Sequence, residues 1–130
     1  MNARALKSLL YVDDDADIRE IVQMSLTLDG EMTVLLCGEG EGALRKMRDE
    51  RPDLVVLDVM MPGMDGPAIL ARMRADAELA DIPVIFMTAK ADAQEVARFR
   101  QLSAIGVIAK AFDPMALTSQ VMALWKSHHE

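Results

Sequence analysis

Four groups with chemical capability each stand just past a short apolar run. Asp13-Asp14-Asp15 follow Ser8-Leu-Leu-Tyr-Val12, and Asp58 follows Leu54-Val-Val-Leu57. Thr88 follows Pro83-Val-Ile-Phe-Met87, and Lys110 follows Gly106-Val-Ile-Ala109. Carboxylates a few ångströms apart raise one another's pKa unless a cation sits between them. An oxygen-only set without His or Cys favours Mg2+, which keeps some of its waters and leaves room for a phosphoryl oxygen. A carboxylate can attack phosphorus and form an acyl phosphate while a metal and a fixed ammonium neutralise the equatorial oxygens. Asp58 suits the nucleophile and Lys110 the ammonium, with the Thr88 hydroxyl and the Ala89 backbone N–H as further donors.

These groups act together only if the fold brings the ends of the runs to one rim. The runs are continuously apolar, as in strands buried on both faces, and a fifth covers Met32-Thr-Val-Leu-Leu36. Between them lie stretches with helical spacing: Ile18, Ile21, Val22, Ser25 and Leu26; Ala43, Leu44 and Met47; Ile69, Leu70 and Met73. A last helix places Leu117, Val121, Leu124 and Trp125 on one stripe, with Asp113-Pro114 read as its N-cap and first residue. Strand and helix alternate five times, which predicts an open parallel sheet covered by helices on both faces. In such sheets the working residues gather at the carboxyl ends of the strands.

The chain has 130 residues, the size of a single domain. Apolar residues make up 52% and charged ones 27%, as in an ordinary soluble globular protein. With 14 basic and 21 acidic side chains the net charge is −7, which disfavours direct contact with nucleic acid or an anionic membrane surface. Apolar runs such as Ile82 to Met87 are far short of the roughly 18 residues of a membrane span. Residues 1–8 have no apolar stretch of secretory length, and the lone Cys37 suits a reducing compartment, so a cytoplasmic location is expected.

Together the motifs resemble the receiver domain of bacterial two-component response regulators. They are Leu10-Tyr-Val-Asp-Asp-Asp15, Leu57-Asp-Val-Met-Met-Pro-Gly-Met-Asp-Gly66, Met87-Thr-Ala89, and Lys110 with Phe112 two residues on. The spacings 58 − 14 = 44, 88 − 58 = 30 and 110 − 88 = 22 agree with that family. The resemblance implies a flavodoxin-like α/β fold, a (βα)5 three-layer sandwich with strand order 2-1-3-4-5. It makes residues 1–130 one receiver domain with no output domain. Asp58 is then the phosphoacceptor, and Mg2+ is held by Asp13 (through water), Asp14, Asp58 and the Met60 backbone carbonyl. Thr88 becomes the switch hydroxyl, Ala89 N–H and Lys110 phosphate partners, and Met60 and Lys90 the positions that tune phosphoryl lifetime. The implied partners are a histidine kinase or histidine phosphotransfer protein and a downstream target protein, with the chain a monomer or a phosphorylation-dependent dimer.

Two positions depart from that pattern. Val107 stands three before Lys110, where the family often has Tyr or Phe, so an aromatic rotamer switch is lacking. Ala111 replaces a proline that is usually in a cis peptide, and a cis bond there would cost about 2.5–4 kcal/mol. The alternatives are a receiver-like interaction scaffold that works without phosphorylation and a haloacid dehalogenase-type phosphohydrolase using the Asp13-x-Asp15 pair.

Other residues have structural readings. Asp15 and Asp17 read as a solvated turn or N-cap, the methionines as core and helix surface, and Cys37 as a buried small hydrophobe. Met115 and Met122 lie off the core stripe, open to a partner, while His128 and His129 read as a frayed or solvated end.

Overall fold

The computed structural model describes residues 5–28, 32–110 and 112–129. Five strands alternate with five helices: β1 (Ser8–Val12), α1 (Ala16–Leu26), β2 (Thr33–Cys37), α2 (Gly40–Glu50), β3 (Leu54–Asp58), α3 (Gly66–Arg74), β4 (Val84–Thr88), α4 (Ala93–Gln101), β5 (Gly106–Ala109) and α5 (Leu117–His128). All pairings are parallel, in the order β2-β1-β3-β4-β5. This is the expected flavodoxin-like architecture.

Successive strand residues point to opposite faces, so each strand feeds two cores. Leu10, Val12, Val55, Leu57, Val84 and Phe86 meet α2, α3 and α4 through Leu44, Met47, Ile69, Met73 and Phe99. Leu9, Tyr11, Leu54, Val56, Ile85 and Met87 meet α1 and α5 through Val22, Leu26, Leu117, Val121 and Trp125. β3 and β4 are buried throughout, as a continuously apolar strand requires. The edge strands depart from that expectation: β2 and β5 are partly open, and Cys37 is only half-buried.

A helix that follows a strand starts at the carboxyl rim, and acidic caps fix four of those starts. Asp15, Glu39, Asp65 and Asp92 accept hydrogen bonds from the first-turn N–H groups of α1, α2, α3 and α4. The fifth start differs from the sequence reading. Asp113 accepts from Met115 N at 3.0 Å and closes a turn, while α5 begins at Leu117 behind Ala116 with no side-chain cap. At its far end His129 Nδ1 lies 2.8 Å from the Trp125 carbonyl, and the two rings meet at 4.1 Å, tilted by 44°. The peptide at Ala111 lies outside the described residues.

At the opposite rim the part-buried guanidinium of Arg74 donates to the carbonyls of Ala80 and Ile82 and to Ser103 Oγ. It joins the loop before β4 to the turn before β5, where Ser103 has φ 76°.

Candidate functional site

At the carboxyl rim, β1 delivers Asp13 and Asp14 and β3 ends in Asp58. Carboxylate oxygens of all three lie within 4.8 Å of one another. Asp13 and Asp58 are 0% and 2% exposed, whereas Asp14 is open to solvent. β5 hands Lys110 to the same place: its Nζ is 3.2 Å from an oxygen of Asp13 and 3.2 Å from Oδ2 of Asp58. Lys110 N also donates to the Thr88 carbonyl at 2.6 Å, which ties the ends of β4 and β5 together. Thr88 is buried, and its Oγ1 accepts from Lys90 N at 3.3 Å.

Burial, then the neighbouring Asp13 charge, pushes the Asp58 carboxyl up to about 6 against the pull of Lys110. Burial works to lower the Lys110 ammonium, but the hydrogen bond to Asp58 and the two carboxylate charges outweigh it and raise it overall. Asp13 is held from several sides. Its Oδ2 accepts from the Tyr11 hydroxyl at 2.6 Å and its Oδ1 from Asp15 N at 2.9 Å, while its backbone carbonyl accepts from Arg19 Nη1 at 2.6 Å. Burial and the bond to Asp13 push the Tyr11 hydroxyl far above its ordinary range, so it remains a donor. Among the described residues no buried side-chain nitrogen or oxygen lacks a partner.

Three carboxylates facing one ammonium form an all-oxygen set short of positive charge, and the residues present fit a hard divalent cation. With no cation bound, an ionised Asp58 costs stability. Its folded pKa of about 6 lies above the ordinary 3.8, so the penalty is full above pH 6 and fades as pH falls toward 4. Metal-free Asp58→Asn should therefore unfold with about 3 kcal/mol more stability than wild type at pH 8, and about half that gain at pH 5. Urea titrations with a chelator at the two pH values check this; an equal gain at both would remove the electrostatic cause.

The profile of the response regulator receiver domain matches residues 9–122. The chain belongs to that family. As a receiver domain it is 38% identical over 115 residues to the DNA-binding response regulator MtrA of Mycobacterium tuberculosis, a match covering 88% of this chain and 49% of MtrA. It is 35% identical over 116 residues to the transcriptional regulatory protein CseB of Streptomyces coelicolor, covering 89% of this chain and 48% of that one. The receiver domain thus spans about half the length of the relatives it matches. Among solved structures it is similar to the chemotaxis protein CheY4 of Vibrio cholerae, with TM-score 0.82, 27% identity and coverage of 92% of this chain and 99% of that one. The signal receiver domain of a DNA-binding response regulator from Colwellia psychrerythraea gives TM-score 0.79 at 28% identity, covering 91% and 97%.

Of the residues expected at the receiver site, the fold gathers Asp13, Asp14, Asp58 and Lys110. Thr88 ends the neighbouring strand, with Ala89 exposed just beyond it. Met60 is 78% exposed, and Lys90 pairs at the surface with Asp92 at 3.4 Å. Val107 is half-buried and pairs with Phe86 across the strands, against the core where the Phe86 and Phe99 rings meet at 4.7 Å. Tyr11 and Gly66 were missed in the sequence. Tyr11 was legible by period two, since a strand residue two before Asp13 shares its face. Gly66 closes a motif shared with the family, but its need to be glycine does not show in the sequence, because its neighbour is a backbone carbonyl eight positions earlier. As for location, no described helix is long and apolar enough to cross a membrane.

Proposed function

We propose that this receiver domain accepts a phosphoryl group on Asp58 from the phosphohistidine of a sensor kinase or a histidine phosphotransfer protein. The observation that carries the reading is the buried Asp58 carboxylate beside two further carboxylates, with the Lys110 ammonium at 3.2 Å. With its pKa near 6, Asp58 is largely ionised at neutral pH and available as a nucleophile. One of its oxygens bonds to phosphorus as the bond from phosphorus to the imidazole nitrogen breaks. The electron pair of that bond leaves with the imidazole, which departs neutral from its protonated form.

Asp13, Asp14, Asp58 and the Met60 backbone carbonyl would hold Mg2+. When bound, it supplies the positive charge this acidic set lacks and a place for a phosphoryl oxygen. Lys110 neutralises a second phosphoryl oxygen, and the Thr88 hydroxyl and Ala89 N–H donate to the third. Attack by water at phosphorus later breaks the mixed anhydride, restores the carboxylate and releases inorganic phosphate. Met60 and Lys90 flank the acceptor and Thr88 at the exposed rim, where they tune how long the phosphoryl group persists. Output is a change in affinity for a target protein in the cytoplasm, with no direct contact to nucleic acid and with the chain a monomer or a phosphorylation-dependent dimer.

Intact-mass analysis after incubation with Mg2+ and a small acyl phosphate tests this. One phosphoryl adduct is expected on wild type, lost with a chelator and absent from Asp58→Asn. A folded wild type that gains no adduct from either the acyl phosphate or a phosphorylated phosphotransfer protein would leave the interaction-scaffold reading. Turnover of a small phosphate ester without an adduct would favour a phosphohydrolase.

A further inference from the structure

We propose that Tyr11 is a positioning residue of the acidic site, its hydroxyl fixing the Asp13 carboxylate in the orientation that binds a divalent cation. The inference rests on reading Asp13, Asp14 and Asp58 as a Mg2+ site. Tyr11 is fully buried in a strand whose other core residues are Leu9, Leu10 and Val12. A phenylalanine would fill nearly the same space without bringing a hydroxyl into an apolar layer, where an unpaired one is costly. This hydroxyl spends its proton on Asp13 Oδ2 at 2.6 Å.

The geometry around Asp13 gives that bond its consequence. A carboxylate offers about four acceptor directions. Asp15 N takes one on Oδ1 at 2.9 Å, Tyr11 takes one on Oδ2, and Lys110 approaches both oxygens, at 3.5 and 3.2 Å. The two Lys110 contacts are the long ones, and a cation would compete for Asp13 there, where one of its oxygens lies within 4.8 Å of oxygens of Asp14 and Asp58. Tyr11 and Asp15 N hold opposite oxygens, so together they set the rotation of the carboxylate about its bond to the chain. Without the hydroxyl, Oδ2 is free to turn further toward Lys110, and a cation must then reorient Asp13 as it binds. Groups that orient metal ligands in this way commonly change affinity by about 10-fold or more when removed.

The chain contains one tyrosine, so incorporation of 3-fluorotyrosine places a single fluorine beside Asp13 in an otherwise native sequence that keeps its donor. Its fluorine resonance should move as Mg2+ is added, with half of the change complete at the midpoint found by calorimetric titration of the unlabelled protein. Tyr11→Phe should bind Mg2+ about 10-fold more weakly in the same calorimetric titration. A hydroxyl that only satisfies the core would lower thermal stability and leave Mg2+ affinity unchanged. Equal affinities, a fluorine resonance indifferent to Mg2+, or a wild type that binds no Mg2+ would each overturn the inference. Should Tyr11→Phe fail to fold, the fluorine titration decides alone. A wild type that binds Mg2+ yet takes no phosphoryl group would sink the proposed function, while the two titrations still judge Tyr11.

Discussion

Lys110→Ala should cost about 3 kcal/mol of stability at pH 8 without Mg2+, and less at pH 6. The Lys110 ammonium sits 3.2 Å from both buried carboxylates, and its removal leaves two adjacent negative charges with no cation between them. Removing one partner of a buried charge pair typically costs about 3–5 kcal/mol, because the group left behind is uncompensated. The ceiling here is lower, since Asp58 can take up a proton: its pKa, already near 6, rises further once the ammonium is gone. The folded variant therefore binds more protons than the unfolded chain, and its stability falls as pH rises. Urea unfolding at the two pH values measures the difference. In an Asp58→Asn background the same substitution should cost much less, a coupling that a double-mutant cycle reads directly. Added Mg2+ should restore part of the lost stability, by binding the folded state alone. Labelling by an acyl phosphate should stay slow even at saturating Mg2+, by about 100-fold, since a fixed charge on the transferring group is lost. A variant as stable as wild type at pH 8 would show that the ammonium contributes nothing to holding the carboxylates together.

The second large effect is expected at Gly66, the first residue of α3. A Cβ built there falls 2.5 Å from the Asp58 backbone oxygen, 3.0 Å from the Phe86 ring and 3.1 Å from Val59 Cα. Backbone atoms cannot swing aside as a flexible side chain can, so Gly66→Ala must push the end of β3, with Asp58 on it, away from the helix. Forcing a carbon into a packed contact costs about 1–3 kcal/mol, and a backbone obstacle places this site at the upper end. The larger loss should be in labelling rate, by about 100-fold, because a displacement near 1 Å at the nucleophile spoils its alignment. Gly63 in the same loop provides the contrast. Its φ is +76° with nothing within 4 Å of a Cβ. Gly63→Ala should cost about 1 kcal/mol of backbone strain and leave labelling almost untouched. Single-turnover labelling of the two variants, beside their unfolding curves, separates the cases. Equal labelling rates would sever the link between Gly66 and the position of Asp58.

Much of this was legible from the chain itself. Five continuous apolar runs, four of them followed by Asp13, Asp58, Thr88 and Lys110, sufficed to predict five parallel strands and a shared rim, because strands buried on both faces require apolar residues at every position. The same logic failed at the edges. β2 and β5 have one neighbour each, so residues such as Leu35, Leu36 and Val107 are only half-buried although the runs look alike. Asp113-Pro114 has the composition of a helix start, yet Asp113 turns its carboxylate to Met115 N and postpones the helix to Leu117. His128 and His129 read as a frayed or solvated end, and His128 is exposed, but His129 packs against the Trp125 ring, a contact between side chains one helical turn apart. The remaining misses involve partners distant in sequence or backbone atoms. Gly66 against the Asp58 carbonyl and Arg74 against Ile82 leave no periodic trace in the residue types.

The helices differ in how firmly they are moored. α5 buries Leu117, Val121 and Trp125, and α3 buries Gly66, Ile69, Leu70 and Met73, whereas Phe99 is the sole fully buried residue of α4. Burying one large apolar side chain is worth about 1.5–3 kcal/mol, so a single ring carries most of the adhesion of α4 to the sheet. Local opening should begin there, with α4 amides exchanging their hydrogens in excursions that leave α3 and α5 docked. That ring rests on Phe86, two residues before Thr88 on the same strand, so the least anchored helix of the domain has its one mooring directly beneath the rim that carries Thr88.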